Sequence, residues 1–201
     1  MWDATATVAA SGALVKEFFG ASTYGAIGAA INPVDPDLLV GQGCEWRIDP
    51  TTGRAACLGT IWRGGMGASR FGFGPNNKPY LAITPGFLHG QHPIFILERL
   101  GDATYKLRTR LSLDGKTVAV WSDENDDAKE QDNEVRKYDI DLGGWFQGWY
   151  MSMAPDMTFY GTRYQVKPTG WTACGAPLYD LTKAVRMAEP ADFGHRGGMG
   201  A

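Results

Sequence analysis

Short runs in which apolar and polar residues alternate, broken every few positions by Gly, Pro, Asn or Asp, dominate this chain. A period of two places successive side chains on opposite faces of an extended strand, whereas a helix needs apolar residues three and four apart. Cys44-Glu-Trp-Arg-Ile-Asp49 and Arg54-Ala-Ala-Cys-Leu-Gly-Thr-Ile-Trp62 flank Pro50-Thr-Thr-Gly53, which predicts a hairpin. Ser69-Arg-Phe-Gly-Phe-Gly-Pro75 and Pro79-Tyr-Leu-Ala-Ile-Thr84 predict another around Asn76-Asn-Lys78. Pro93-Ile-Phe-Ile-Leu-Glu-Arg99 and Tyr105-Lys-Leu-Arg-Thr-Arg-Leu111 predict a third around Gly101-Asp-Ala-Thr104. Asp37 to Gln42 reads as a short strand, Val8 to Phe19 as a turn followed by a strand, and Met151 to Gly161 as strand–turn–strand. Only Tyr179-Asp-Leu-Thr-Lys-Ala-Val-Arg186 reads as helix. The expected fold class is therefore all-β, built from antiparallel hairpins. The Gly-rich, aperiodic residues 188–201 read as a disordered tail following one domain over residues 1–187.

Composition sharpens this picture in two places. Gly 27, Pro 11 and aromatics at 12% favour short strands and tight turns over helices. A net charge of −3 with mixed signs gives no electrostatic footprint for nucleic acid or an anionic membrane surface. No apolar run approaches the roughly 20 residues that cross a bilayer, and no signal peptide precedes Trp2. The chain opens at Met1-Trp2-Asp3 directly on a strand pattern, as a piece of a longer protein would. At 201 residues it is long enough to bury a core.

The candidate chemistry centres on the twelve residues Asp123 to Glu134. Oxygen side chains at loop positions 1, 3, 5 and 12 (Asp123, Asn125, Asp127 and Glu134) match the EF-hand calcium loop. Ca²⁺ takes about 6–8 oxygens, so three short donors on alternate residues would wrap one side. The carbonyl of Lys129, a donor or water at Gln131 and a bidentate Glu134 would close the other. Position 6, normally Gly, is Ala128, so the loop must either bend differently or strain that residue. The flanks Thr117-Val-Ala-Val-Trp121 and Val135-Arg-Lys-Tyr138 predict strand–loop–strand in place of helix–loop–helix. A solvated acidic turn is the alternative. A calcium loop of modest affinity points to an extracellular or periplasmic setting, where the ion is plentiful.

Two motifs recur. Phe73-Gly-Pro-Asn-Asn-Lys-Pro-Tyr-Leu-Ala82 parallels Met153-Ala-Pro-Asp-Met-Thr-Phe-Tyr160, and hairpins of the Asp49-Pro-Thr-Thr-Gly53 or Ser11-Gly-Ala-Leu14 kind precede aromatic strands. Units of about 40–50 residues made of consecutive hairpins mark β-propellers. Over residues 2–187 the chain resembles bacterial propellers of the NHL and quinoprotein-like kind, in which such turns close one blade and open the next. The resemblance implies a propeller, or a propeller fragment, with room for about four blades. By the same analogy, a metal or cofactor at the axis would make the chain a hydrolase, lyase or oxidoreductase acting on a sugar-like substrate, with Glu45, Arg47, Arg70, His89 and His92 as the residues to test.

The residues themselves support a second class of function. Trp145, Phe146, Trp149 and Tyr150 are dense enough either to stack on a carbohydrate or other flat ligand, or to fill the space between sheets. Glu45 and Arg47 are candidates for a polar ring facing a ligand. His89 and His92, in the loop from Pro85 to His92, lack a third histidine nearby and read as loop residues with a ligand contact left open. Cys44 and Cys57 lie on the two arms of one hairpin, either bridged or, as favoured here, reduced core thiols; Cys174 has no base near it in sequence. No Walker Lys-Ser/Thr, Gly-x-Ser-x-Gly, His-Glu-x-x-His or Cys-x-x-Cys occurs. Whether the molecule is an enzyme or a module binding a carbohydrate or protein then depends on whether the candidate side chains converge on one pocket.

Overall fold

The structure, a computed structural model, describes residues 2–8, 14–21, 29–63, 66–85, 93–114, 117–140, 151–161 and 164–187. It is all-β and antiparallel. Strands β1 (Trp2–Val8) and β2 (Leu14–Ala21) form a hairpin. Strands β3 (Ala30–Asn32), β4 (Asp35–Gly41), β5 (Cys44–Ile48) and β6 (Ala55–Thr60) form a four-stranded sheet in sequence order. Strands β7 (Met66–Phe73), β8 (Pro79–Pro85), β9 (Ile94–Gly101), β10 (Thr104–Asp114), β11 (Thr117–Ser122) and β12 (Val135–Asp139) form a six-stranded meander, also in sequence order. Short strands follow: β13 (Ser152–Met153), β14 (Phe159–Tyr160), β15 (Tyr164–Val166) and β18 (Val185–Arg186) in one sheet, β16 (Gly170–Trp171) and β17 (Pro177–Leu178) in another.

The six-stranded sheet is apolar on both faces, and this makes it the middle layer. In β8, Tyr80 and Ala82 enter one core while Leu81 and Ile83 enter the other; in β9, Ile94 and Ile96 part in the same way from Phe95 and Leu97. One core packs against Leu38, Val40, Leu58, Ile61 and Trp62 of the four-stranded sheet and its flank. The other packs against Met151, Met153, Met157, Phe159, Val166, Tyr179 and Leu181 of the C-terminal segment. Each such side chain, fully removed from water, contributes about 1.5–3 kcal/mol.

The turns follow from their residues. Asp49 accepts from the Thr51 and Thr52 amides while Gly53 adopts φ 71°, closing β5 onto β6. Asn76 and Asn77 both take left-handed backbone (φ 57° and 58°) between β7 and β8, a conformation asparagine tolerates. A Cβ on Gly74 would stand 2.7 Å from Trp171 and 2.8 Å from Tyr80, so only glycine lets those rings pack, 5.2 Å apart, over the turn.

Several sequence expectations need amendment. The helix expected over Tyr179–Arg186 is a single 3-10 turn, Leu181–Lys183, capped by the Asp180 carboxylate and followed by β18. Cys44 and Cys57 are not opposite one another: Cys44 pairs with Thr60 and Cys57 lies across from Trp46, with a register shift between Glu45 and Trp46. Both are free thiols, and Cys57 is exposed, outside any core. Of the expected propeller, the all-β class and the consecutive antiparallel meanders are present; no sheet among the described residues closes. Residues 188–201 lie outside the described residues.

Candidate functional site

A change of parity in β10 builds a cluster of paired charges. Tyr105 and Leu107 pack into the core facing the four-stranded sheet, whereas Leu111 packs into the opposite core. Residues 107 and 111 are an even number apart, so an unbroken strand would keep them on one face. The register with β9 shifts between Leu107 and Thr109, leaving Arg108 as an extra, bulged residue. The bulge reverses which face the strand presents and re-aims Arg108 toward Glu98 and the β11–β12 loop.

Arg108 is 6% exposed at its side chain and binds three carboxylates. Its Nε donates to Glu98 Oε2 at 2.5 Å, and its Nη1 donates to Asp123 Oδ2 at 2.7 Å and Asp126 Oδ1 at 2.5 Å. Lys78 Nζ reaches the other Glu98 oxygen at 2.5 Å. Lys106 Nζ reaches Asp126 Oδ1 at 2.6 Å and also donates to the Asp126 carbonyl. Three acids thus face three bases. Burial opposes the charge on Arg108, but its bonds to Asp126, Glu98 and Asp123 outweigh that and raise its pKa. Lys106 first, then Arg108, hold the Asp126 carboxyl down to about 2.

A turn of the C-terminal segment closes over Asp123. The Asp123 carbonyl accepts from Thr172 Oγ1 and from Cys174 Sγ, each at 2.9 Å. The turn is fixed from below: Tyr80 donates its hydroxyl to the Gly175 carbonyl at 2.5 Å, and Gly175 adopts φ 93°. Thr109 and Ser122 both donate to the Pro177 carbonyl, each at 3.0 Å. Arg108, Glu124, Asn125, Asp126, Ala173 and Cys174 line an open depression at this junction. Asp123 itself is fully buried, and its Oδ1 has no hydrogen-bond partner among the described residues. Such an oxygen costs roughly 1–3 kcal/mol, more when charged.

The expected calcium ligands all lie in the β11–β12 loop. Asp123 and Glu134 are buried, Gln131 is half-buried, and Asn125, Asp127 and Lys129 are exposed. The side-chain oxygens of Glu134, Asn125 and Asp127 already serve the loop. Glu134 Oε2 accepts from Trp121 Nε1 at 2.7 Å and its Oε1 from the Glu124 amide at 3.0 Å. Asn125 Oδ1 caps the Asp127 amide, and Asp127 receives the Lys129 amide and the Gln131 side chain. Ala128, where an EF-hand has glycine, takes φ 57°, and Asp126 takes φ 69°. The backbone thus makes the sharp bend despite the Cβ.

The other candidate residues do not share this place. Glu45, fully buried, holds Arg99 through two bonds of 3.0 and 2.6 Å, and Arg99 also binds Asp102. Burial, with Glu45 beside it, pushes the Tyr105 hydroxyl well above its ordinary pKa. Arg47 pairs with Asp35 at 3.0 Å on the half-exposed side of the four-stranded sheet. Arg70 donates to the neighbouring Ser69 carbonyl at 2.7 Å. His89, His92, Trp145, Trp149 and Tyr150 lie outside the described residues.

Arg108 and Cys174 were not candidates from sequence. Arg108 sits in an ordinary alternating strand pattern, and only the bulge gives it away; Cys174 meets Asp123 through a contact that spans 51 residues. No family model matches the chain, and no curated protein matches it.

Proposed function

We propose that the chain is a non-catalytic binding module, working outside the cell or in the periplasm, which holds a carbohydrate or protein ligand and is stabilised by calcium at the Asp123–Glu134 loop. The observation that carries the reading is the scatter of the described candidate side chains. Glu45, Arg47 and Arg70 each end in a separate local partnership, and the Arg108 cluster uses its charges on one another. An enzyme of the axial-pocket kind needs such groups to converge on one substrate position. With Glu45 paired to Arg99 and Arg47 to Asp35, the reading rests ligand contact on the aromatic run of Trp145, Trp149 and Tyr150 in place of a polar ring. For calcium, the support is the oxygen spacing together with a loop already bent as that spacing requires.

Chromatography over immobilised polysaccharides, with and without millimolar calcium, tests both parts. Retention that Trp145→Ala abolishes without lowering the melting temperature supports the binding reading. A calcium-dependent rise in melting temperature supports the loop assignment, since an ion that binds only the folded state stabilises it by mass action. Turnover of a sugar lactone or uronate, without retention, would favour a propeller-type enzyme instead.

A further inference from the structure

We propose that Asp123, Asp126 and Cys174 form a binding site for a borderline divalent metal of the zinc class. The inference goes beyond the binding-module reading and does not depend on it; of the six expected calcium ligands it uses only Asp123. One ligand atom from each of the three residues lies within 4.8 Å of the other two. They come from two segments that the fold brings together independently, the end of β11 with its loop and the Thr172–Ala176 turn.

The observation that points to a cation is the Asp123 carboxylate. It is fully buried and has an oxygen without a hydrogen-bond partner among the described residues, although arginine and lysine side chains stand close by. Arg108 holds the opposite oxygen of Asp123, and Arg108 with Lys106 holds one oxygen of Asp126. Outer-shell donors of this kind fix carboxylate ligands in metal sites. The sulfur decides the metal. Calcium and magnesium take oxygen shells, whereas a thiolate beside carboxylates selects zinc and its neighbours.

Binding is a balanced exchange. Cys174 releases its thiol proton to solvent and gives up its hydrogen bond to the Asp123 carbonyl, which keeps Thr172 as a donor. The resulting thiolate offsets one of the two added charges, and the three acids and three bases around Arg108 already cancel. Tetrahedral zinc needs ligands roughly 3.5 Å apart. Arg108 and Lys106 hold Asp126 through Oδ1, so closing that gap moves this exposed side chain within their reach, and the open depression admits the ion and a water in the fourth position.

The test uses the full chain carrying Cys44→Ser and Cys57→Ser, so that Cys174 is its one thiol. Cobalt(II) titration should give a thiolate-to-metal charge-transfer band that saturates at one equivalent and is displaced by zinc. Zinc, but not calcium, should slow alkylation of Cys174 by iodoacetamide about tenfold or more. Asp126→Asn should weaken cobalt binding by about tenfold or more. Absence of the band together with unprotected alkylation overturns the proposal, as does a band of unchanged affinity in Asp126→Asn. The alkylation arm needs no substitution at Cys174 and reads the site even if Cys174→Ser fails to fold. The two assignments share Asp123, but the cobalt band and the alkylation of Cys174 read ligands that the calcium reading does not use, so failure of one is distinguishable from failure of the other.

Discussion

At the residue scale, the loss of Arg108 has a large expected consequence. Removing it strands Glu98, 2% exposed, and the fully buried Asp123 as charges without their main partner. Breaking a buried pair from one side costs about 3–5 kcal/mol, so Arg108→Ala should lower the urea midpoint by that equivalent. Arg108→Lys keeps the charge but not the fork that spans three carboxylates, and should fall between wild type and Arg108→Ala. Ala128 offers the opposite case. Its left-handed φ of 57° burdens a residue that glycine would relieve, so Ala128→Gly should stabilise the protein by about 1 kcal/mol, seen as a higher denaturant midpoint. Glu134 joins Trp121 to the Glu124 amide, so Glu134→Ala should destabilise the chain by about 1–3 kcal/mol even in chelator. The calcium assignment is therefore read from the calcium-dependent increment in melting temperature, which Glu134→Ala should also erase.

At the element scale, the strands were legible wherever turn chemistry bracketed an alternating run. Asp49-Pro-Thr-Thr-Gly53, Asn76-Asn-Lys78 and Gly101-Asp-Ala-Thr104 each close the hairpin their residues announce. Local pattern could not reveal the bulge at Arg108, since Leu107 and Thr109 look like one face until their partners on β9 are known. Cys44 and Cys57 share a hairpin without facing each other: the pairing of Ile48 with Ala55 beside the turn already sets Cys57 across from Trp46, and the shift beside Glu45 carries Cys44 on to Thr60. Over Tyr179–Arg186 the aspartate favoured a cap, and the apolar contacts of Tyr179 and Leu181 against the sheet overrode helix propensity. Of the site, Asp123 and its loop were visible as spacing, while Arg108 and Cys174 depend on long-range contacts that no window contains. Close packing also makes a sharp prediction here. Gly74→Ala would drive a Cβ into Trp171 and Tyr80 and should cost about 1–3 kcal/mol, detectable as a drop in melting temperature and a change in near-ultraviolet dichroism.

At the scale of the whole molecule, the core between the middle sheet and the C-terminal segment should respond to pH. Tyr80 and Tyr179, both essentially buried, have hydroxyl pKa values raised chiefly by burial. A raised folded pKa means that this stability is complete below the unfolded value near 10 and drains away as pH climbs above it. Each tyrosine should remove up to about 1.4 kcal/mol per pH unit in that range. Titration of phenolate absorbance should therefore coincide with loss of β-sheet dichroism, whereas independent titration of these tyrosines in folded protein would contradict their burial. In acid, the lowered pKa of Asp126 gives a contribution that is present above about pH 4 and is lost as pH falls toward 2.

The docking of the Thr172–Pro177 turn onto Thr109, Ser122 and Asp123 carries a meaning for the order of synthesis. A nascent chain that has emerged only through β12 can zip its six-stranded meander, yet the buried acid at its heart still lacks its cover. The roof arrives only when the segment ending at Pro177 leaves the ribosome, 54 residues after Asp123. Until then the growing polypeptide leaves that face of the meander, and the acid beneath the turn, open to water.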